Sequence, residues 1–399
     1  MSSLSATFLP AEPDNARPET EPRSKDSSRS DRDRVGYLPS LDGWRAIAIS
    51  AVLLDHSAVL PWRFARHHLQ NKGADGVWLF FAISGLLICS RLLNEEKRNG
   101  KISLPNFYIR RSFRIFPASF TFLAILLGLE ALKIIPLNHS AWLSALLFCR
   151  NYWSYFMQSG DSGTWFTSHF WSLAVEEHFY LFFPTLLVLF PRARHAVIAT
   201  LAAFFLGWSV FYMATHPPAT RNIFWNQRTE FCLFGLLVPA LCALILDRGE
   251  TRKYATKYLH VVPLLLLSAI VLFLQDRFNH NGIPSLAEAI IFPLLLLSTS
   301  LHPENWLTRM LETAPFRFIG RISYSLYLWQ ILFLTRSITY PGRIHTLQSP
   351  ITEIGCAVLC ALASFYFIET PMIAFGKRFV RGGRQSALSL STLPLPSDH

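Results

Sequence analysis

Residues 258–275 read YLHVVPLLLLSAIVLFLQ, eighteen positions without a single Asp, Glu, Lys or Arg. A run of this length is close to the roughly 20 apolar residues that a helix needs to cross a bilayer. Similar runs continue outward in both directions along the chain. They lie at about 44–62, 76–94, 115–132, 170–190, 195–214, 229–246, 284–301, 321–340 and 351–375. The pattern predicts an all-α fold, a polytopic membrane helical bundle of about ten transmembrane helices.

The composition agrees with a chain that lies mainly in lipid. Hydrophobic residues make up 51% of its 399 positions and charged residues 16%, and the mean hydropathy is +0.29. A soluble domain usually carries about 25% charged residues. The net charge of +11 is typical of the cytoplasmic loops of a membrane protein, and no RNA-binding or zinc-finger pattern accompanies it. We therefore expect membrane lipids as partners and no nucleic acid.

The distribution of basic residues predicts the orientation. With ten spans and the amino terminus inside, the inner segments hold 25 Lys and Arg and the outer segments hold 10. Cytoplasmic loops are normally the more basic ones, so both termini are expected in the cytoplasm. A further apolar stretch, 139–157, contains Arg150 and Asn151. Counting it as a span would place most later basic residues outside, so we expect an outer or re-entrant segment there.

Two polar tails flank the predicted membrane domain, which covers residues 37–376. Residues 1–36 are rich in Pro, Ser, Asp and Arg, a composition that predicts a disordered cytoplasmic tail. They lack the apolar core and cleavage site of a signal peptide, so we expect the first membrane helix to be retained. Residues 377–399 are predicted to be a second disordered cytoplasmic tail.

The first span, LDGWRAIAISAVLLDHS, carries Arg45 near its cytoplasmic end and His56 in its outer half. Eleven residues correspond to about three helical turns, so both side chains project from one face, about 16 Å apart along the axis. Such residues are costly inside a membrane and are therefore functional candidates. An arginine suits a phosphate, and a histidine suits general-base chemistry near neutral pH. The alternative is a snorkelling arginine and a packed histidine.

A basic motif, FYIRRSFRIFP, opens the third span. Arg111 and Arg114 share a helix face at i and i+3, and Arg110 lies beside them. They are either topology anchors at the inner membrane surface or a cytoplasmic clamp for a phosphorylated ligand. The sequence alone leaves both interpretations open.

A carboxylate motif, WSLAVEEHFYLFFP, lies in the outer half of the fourth span. Ser172, Glu176 and Tyr180 follow one helix face at i, i+4 and i+8. Glu176 lies at about the depth of His56, so the two groups are expected to meet, with the carboxylate orienting a histidine base. The alternative is that Glu176 and Glu177 pair with buried cations for structural reasons.

Two later motifs, ISYSLYLWQ and SFYFIETP, add polar residues near the cytoplasmic side. Ser323 and Ser325 are expected to join helices by hydrogen bonds, with Tyr327 beside them. Glu369 lies in the predicted layer of Arg45, where an ion pair is expected. Both motifs are weaker functional signals than the first three.

The second span, GVWLFFAISGLLI, predicts close helix packing around Gly85, with Ser84 as a polar contributor. The six cysteines form no CxxC pair, so the sequence predicts neither a disulfide nor a metal site. The secondary site candidates are Asp42, Ser84, Ser172, Glu177, Tyr180, Ser325 and Glu369.

Together, these six blocks in this order along the chain resemble the acyltransferase 3 family of bacterial integral membrane O-acyltransferases. The resemblance extends from about 37 to 376, nearly the whole chain outside its tails. The family motif of Arg, ten residues and His falls on Arg45 and His56. The family motif Arg-x-x-Arg falls on Arg111 and Arg114.

The resemblance implies a ten-helix enzyme of the bacterial cytoplasmic (inner) membrane. Such an enzyme takes an acyl group, commonly acetyl, from cytoplasmic acyl-CoA and delivers it to a hydroxyl of a glycan or lipid-linked saccharide. It needs no bound cofactor and no metal, because acyl-CoA is a substrate. We expect His56, Arg45 and Glu176 to be catalytic, with His56 deprotonating the acceptor hydroxyl. Arg111, Arg114 and Arg45 are expected to bind the donor.

Two departures from the family pattern bear on the site. Family members often have Gln where this chain has His178, which adds a titratable group near the site. They often have His where this chain has Gln330, so we assign Gln330 no catalytic role. Some relatives carry a carboxy-terminal esterase-like domain that completes transfer. This sequence shows none, so we expect either direct transfer or a partner protein.

Two alternatives remain at this point. A secondary transporter could use Arg45, His56 and Glu176 as a proton relay, although such folds usually show an internal repeat and this chain shows none. Within the enzyme hypothesis, the acceptor could be a lipid, a peptidoglycan sugar or a small secondary metabolite. The acyl chain length and the oligomeric state do not follow from the sequence.

Overall fold

The computed structural model describes residues 39–57, 72–157, 162–216, 224–277, 283–334 and 349–391. These residues are mainly helical and include no β-strand, which confirms the all-α prediction. They belong to one compact unit, Leu38–His399. The predicted amino-terminal tail, 1–36, lies outside the described residues.

Sixteen α-helices follow one another in the described part of the chain. They are α1 Pro39–His56, α2 Gly73–Asn99, α3 Leu104–Ala131, α4 His139–Leu146, α5 Arg150–Met157, α6 Phe170–Leu189, α7 Arg194–Thr215, α8 Thr229–Cys232, α9 Phe234–Leu246, α10 Gly249–Tyr258, α11 Val261–Arg277, α12 Ile283–Leu301, α13 Trp306–Leu311, α14 Ala314–Phe333, α15 Pro350–Ser364 and α16 Thr370–Ser391. Two 3-10 turns, Ser162–Thr167 and Trp225–Gln227, and a π turn, Phe365–Glu369, complete the described elements.

Five helical segments are long and apolar enough to cross a membrane, so the chain is a membrane protein. They are Gly73–Asn99, Leu104–Ala131, Gly163–Leu189, Arg194–Thr215 and Pro350–Val380. A sixth is present if the pair Gly249–Tyr258 and Val261–Phe273, bent by 73°, forms one span. The remaining predicted spans form shorter or more polar helices, so the count of ten stays a prediction.

Helix α14 lies beside α1 and runs in the same direction. Near the start of the pair, a Cβ at Gly320 would overlap with the carbonyl oxygen of Asp42, so only glycine permits this approach. Near the end, the side chains of His56 and Gln330 meet. Because the pair stays in contact from one end to the other, α14 supplies neighbours to both ends of α1.

Helix α2 packs between α1 and α9. A Cβ at Gly73 would overlap with the carboxylate of Asp55, so the start of α2 lies beside the end of α1 and the two run antiparallel. On its other side, a Cβ at Gly85 would overlap with the carbonyl oxygen of Leu236. This contact confirms the close packing predicted at Gly85, and it fixes the face on which Ser84 lies.

Segment 139–157 forms two helices of eight residues, α4 and α5, that fold back on each other. The turn between them contains Phe148 with φ 51°, and Trp153 Nε1 donates to Ser140 Oγ at 3.2 Å. Neither helix reaches half of the roughly 20 residues that a span requires. The geometry is that of a helical hairpin, which fits the predicted outer or re-entrant segment.

Over part of the predicted carboxy-terminal tail, 377–399, the chain is helical, since α16 continues to Ser391. The last predicted span is interrupted at Phe365–Glu369 by a π turn and then continues as this helix. Extending an existing helix adds one hydrogen bond per residue and needs no new nucleation, so a polar tail can remain helical. Residues 392–399 lie outside the described residues.

Candidate active site

A cavity of about 80 Å³ collects charged side chains from three helices. Arg45 comes from α1, Arg111 and Arg114 from α3, and Glu176 and Glu177 from α6. In the sequence these residues are spread over more than 130 positions. The structure therefore brings both predicted arginine motifs and the carboxylate motif to one site.

The rest of the polar lining consists of hydroxyl groups. It comprises Ser84, Ser172, Tyr180, Ser323, Tyr324 and Tyr327. Ser172 and Tyr327 are joined by a hydrogen bond of 2.6 Å between their hydroxyl oxygens. Helix α14 thus contributes to the site although its motif was the weaker signal in the sequence.

Glu176 is held by two hydroxyl groups. Ser84 Oγ donates to its Oε1 at 2.9 Å, and Tyr180 OH donates to its Oε2 at 2.8 Å. Tyr180 lies one helical turn after Glu176 on the same face, as the i, i+4 spacing predicted. The carboxylate is therefore oriented toward the arginine-lined cavity.

The arginines of this cavity are only partly neutralised. Arg45 Nη1 forms an ion pair with Asp42 Oδ1 at 3.0 Å, and the guanidinium of Arg111 stacks over the Tyr180 ring, 3.7 Å from its centroid. Neither Arg111 nor Arg114 forms an ion pair with any carboxylate in the described part of the chain. Like charges held this close repel one another, so an anionic ligand would be stabilised here.

A second cavity, of about 200 Å³, adjoins the first and shares Arg111 and Arg114 with it. Arg91 from α2, Arg110 from α3 and Lys377 from α16 add three more cations to its wall. Glu95 is its one lining carboxylate and accepts a hydrogen bond of 2.7 Å from Arg110. Together the two cavities form a cationic channel, the name used below for this pair.

Sequence reasoning missed two of these cations, Arg91 and Lys377. Arg91 lies in the second half of the predicted second span, within reach of repulsion from Arg45, Arg111 and Arg114. A charge inside an apolar run is a recognisable signal that should have singled it out. Lys377 was overlooked because it was assigned to a disordered tail.

His56 lies away from the lining of the cationic channel, at the end of α1. Its Nδ1 is 2.8 Å from Oε1 of Gln330, and its ring meets Trp165 edge-on at 5.7 Å between centroids. The predicted contact with Glu176 is wrong, because the hydrogen bonds of Glu176 go to Ser84 and Tyr180. Glu176 lines the cavity that holds Arg45, about three helical turns from His56 along α1, so the depth predicted for it is wrong as well. Helix α14 occupies the place beside His56.

Sequence reasoning also missed His169. It precedes α6, is 3% exposed, and has no hydrogen-bond partner for either ring nitrogen among the described residues. Its ring contacts Phe122, Phe170 and Tyr327, and its charge would act on that of His56. The helical spacing of Ser172, Glu176 and Tyr180 did not point to His169, because His169 lies before the start of α6.

The inner carboxylate Glu369 is 3% exposed, and its bond to Ser325 Oγ joins the π turn to α14. The predicted ion pair of Glu369 is wrong, since a hydroxyl and not a guanidinium holds it. Ser325 does join two helices, as expected. Among the described residues, no group of three or more His, Cys, Asp or Glu is arranged to hold a metal ion.

Comparison with known proteins decides the family. The model of an acyltransferase domain, acyltransferase 3, matches residues 38–370. The chain belongs to the acyltransferase 3 family. That interval contains the six blocks on which the resemblance rests except the last residue of the sixth, Pro371, and it confirms the family assignment made from the sequence. No solved structure matches the chain.

Several bacterial proteins named as O-acetyltransferases are similar to this chain. The O-acetyltransferase OatA of Staphylococcus aureus strain NCTC 8325 is 31% identical over 364 residues, which cover 84% of this chain and 57% of OatA. A further relative, from strain COL and also named for the O-acetyltransferase class, is 29% identical over 360 residues, or 85% of this chain and 58% of its own. The chain thus spans somewhat over half the length of these relatives.

Both arginine motifs that this chain shares with the acyltransferase 3 family contribute to the cationic channel. Arg45 of the first motif and Arg111 and Arg114 of the second lie in one cavity, while His56 lies about three helical turns beyond Arg45. The site therefore has two levels, one cationic and one containing an imidazole.

Proposed function

We propose that the chain is an integral membrane O-acyltransferase that uses a cytoplasmic acyl-CoA, most simply acetyl-CoA, as donor. The observation that carries this proposal is the cationic channel. Six of its lining residues are cationic, and four of them, Arg91, Arg111, Arg114 and Lys377, form no ion pair in the described part of the chain. Membership of the acyltransferase 3 family and the acetyltransferase names of its relatives supply the reaction class.

The charges of the channel suit the phosphates of coenzyme A. Guanidinium groups bind phosphate oxygens through paired hydrogen bonds, and such bonds are stronger than those between neutral groups. The larger cavity, lined by Arg91 and Lys377, suits the phosphorylated nucleotide, and the smaller one suits the pantetheine arm. The arm then points along α1 from Arg45 toward His56.

The chemical step proposed at the outer level is a direct transfer. His56 accepts the proton of an acceptor hydroxyl, and the hydroxyl oxygen attacks the thioester carbonyl carbon. The new C–O ester bond forms as the C–S bond breaks, and the thiolate of coenzyme A leaves and receives a proton. The acceptor proposed is a hydroxyl of a glycan or a lipid-linked saccharide, which matches the O-acetyltransferase class of the relatives.

The proposed setting is the bacterial inner membrane with both termini in the cytoplasm. In that orientation the end of α2 and the start of α3, which line the larger cavity, face the cytoplasm, where acyl-CoA is present. His56 then lies in the outer half of the membrane, where an exported acceptor could reach it. This arrangement rests on the 25 to 10 distribution of basic residues.

Donor binding is tested with the purified chain in detergent and acetyl-CoA as the probe. Arg111→Ala and Arg114→Ala should each weaken acetyl-CoA binding by on the order of 10- to 100-fold, since a charge-assisted hydrogen bond contributes about 1.5–3 kcal/mol. Arg248→Ala removes the same charge from an exposed position outside both cavities and serves as the control. Normal acetyl-CoA binding in both Arg111→Ala and Arg114→Ala would contradict the proposal. It would mean that these arginines only fix the membrane topology.

A transporter remains the competing class, and the same variants separate it. A transporter that uses Arg45, His56 and Glu176 moves substrate without consuming acetyl-CoA. In membrane vesicles the transferase must instead release free coenzyme A thiol in step with labelled acetyl on the acceptor. Substrate flux without thiol release would favour the transporter.

A further inference from the structure

Gln330 is the residue that contacts His56 from the neighbouring helix. It lies near the end of α14, is fully buried, and places its Oε1 2.8 Å from Nδ1 of the imidazole. The parallel packing of α14 on α1 brings the two residues together at the same end of the pair. Trp165 closes one edge of the imidazole.

The atoms in this contact define the tautomer of His56. An amide oxygen only accepts hydrogen bonds, so Nδ1 of the imidazole must carry the hydrogen that it donates to Oε1. In a neutral imidazole the other ring nitrogen, Nε2, then holds the lone pair. Nε2 is therefore the atom that can accept a proton.

The other end of the Gln330 amide is a hydrogen-bond donor. Its Nε2 is buried and has no hydrogen-bond partner in the described part of the chain. A buried donor without an acceptor costs about 1–3 kcal/mol, and that cost disappears when a ligand oxygen arrives. The thioester carbonyl and the acceptor hydroxyl both bring such an oxygen to His56.

We infer that Gln330 is the positioning residue of His56, fixing through its amide oxygen the tautomer in which the imidazole Nε2 is the base. The inference rests on the proposed function, because it assigns Gln330 a part in the same transfer step. It replaces our expectation from the sequence that Gln330 has no role. A neutral amide orients the ring without placing a negative charge beside it, whereas a carboxylate would do both.

This difference between amide and carboxylate makes the inference testable by a pH profile. Other titratable groups lie on the elements packed around this end of α1, and they are the same in every variant below. They are Asp55 on α1, Lys72 and Asp75 at the start of α2, Glu288 on α12 and His169 before α6.

The test measures transfer from radiolabelled acetyl-CoA in vesicles containing the full chain, across roughly pH 5–9. Gln330→Glu is nearly isosteric and should move the acid limb of kcat/KM to higher pH by about one unit or more, because a carboxylate favours the imidazolium. Gln227→Glu adds the same charge in the 3-10 turn Trp225–Gln227 and should leave the profile unchanged.

A second variant covers the case in which a buried glutamate prevents folding. Gln330→Leu keeps the volume but removes the acceptor, and kcat should fall roughly 2- to 13-fold, the equivalent of a net hydrogen bond of about 0.5–1.5 kcal/mol. The KM for acetyl-CoA should stay the same, because the donor binds at the arginines. If Gln330 served only to pack against its neighbours, Gln330→Glu would show the same pH profile as the wild type.

The failure of this inference is distinguishable from the failure of the proposed function. If the wild-type chain transfers no acetyl group, the proposed function is overturned. If the wild type is active and Gln330→Glu, present at normal abundance, keeps the wild-type acid limb, the positioning role is overturned. Unchanged kcat in Gln330→Leu overturns it as well.

Discussion

Tyr180 lines the smaller cavity of the cationic channel, and its substitution separates two of its contacts. Its hydroxyl donates to Glu176 at 2.8 Å and lies 3.1 Å from Ser84 Oγ, while its ring lies 3.7 Å from the guanidinium of Arg111. Tyr180→Phe removes the hydroxyl and keeps the ring. Tyr180→Leu removes both, so the pair of variants isolates the ring contact.

The magnitudes follow from these contacts. In Tyr180→Phe the carboxylate of Glu176 keeps Ser84 but loses one of two donors, which should lower the free energy of unfolding by about 1–3 kcal/mol. Acetyl-CoA affinity should change little, because Arg111 keeps its support. In Tyr180→Leu the cation–π contact is also lost, a further 0.5–2 kcal/mol or roughly 2- to 30-fold in affinity.

Two measurements on purified protein in one detergent check this prediction. Thermal unfolding should show that both variants are destabilised, and acetyl-CoA titration should show weaker binding in Tyr180→Leu than in Tyr180→Phe. Equal loss of affinity in both variants would mean that the hydroxyl network, and not the ring, positions Arg111. Wild-type acetyl-CoA affinity in both variants would contradict the prediction that Arg111, held by the Tyr180 ring, binds the donor.

Two further predictions concern packing and orientation. Gly85→Ala should destabilise the bundle, because a Cβ there would overlap with the backbone of Leu236. Gly207→Ala is the control and should be tolerated, because the space around that position is open. The unfolding temperatures of the two variants test this prediction. Reporter fusions after residue 214 should report an outer location, and fusions after residue 250 an inner one. An outer location for the second would overturn the ten-span topology.

The sequence predicts that Arg45, Arg111 and Arg114 lie close together, and they line one cavity. Arg111 and Arg114 share a face by their spacing, and Arg45 occupies the same inner layer through its place near the start of α1. Helical periodicity and depth are both readable from a sequence. Helical periodicity and depth were sufficient to predict that these three arginines line one cavity.

The neighbour of His56 could not be predicted in the same way. The bounds of the apolar runs placed Glu176 at the height of His56, whereas it lines the cavity of Arg45. Those bounds also carry no information about which helices are adjacent. That adjacency depends on close approaches such as Gly320 against Asp42, which bring α14 and Gln330 to α1. A small residue in a sequence marks a close approach without naming the partner.

Composition did not indicate the helix at the start of the carboxy-terminal segment. Its charged and small residues are typical of disordered tails, yet the helix of the last span continues through them to Ser391. Lys377 consequently belongs to the cationic channel. Helical continuity, which depends on the preceding turn, outweighed composition here.

The most direct test of the account compares wild-type chain with His56→Ala for transfer from radiolabelled acetyl-CoA in membrane vesicles, with released coenzyme A measured alongside. The wild type should move label into the saccharide fraction and release an equal amount of thiol. His56→Ala should bind acetyl-CoA normally and lose transfer by about 10²–10⁴-fold, as expected on removal of a general base. Near-wild-type transfer by His56→Ala would contradict the account.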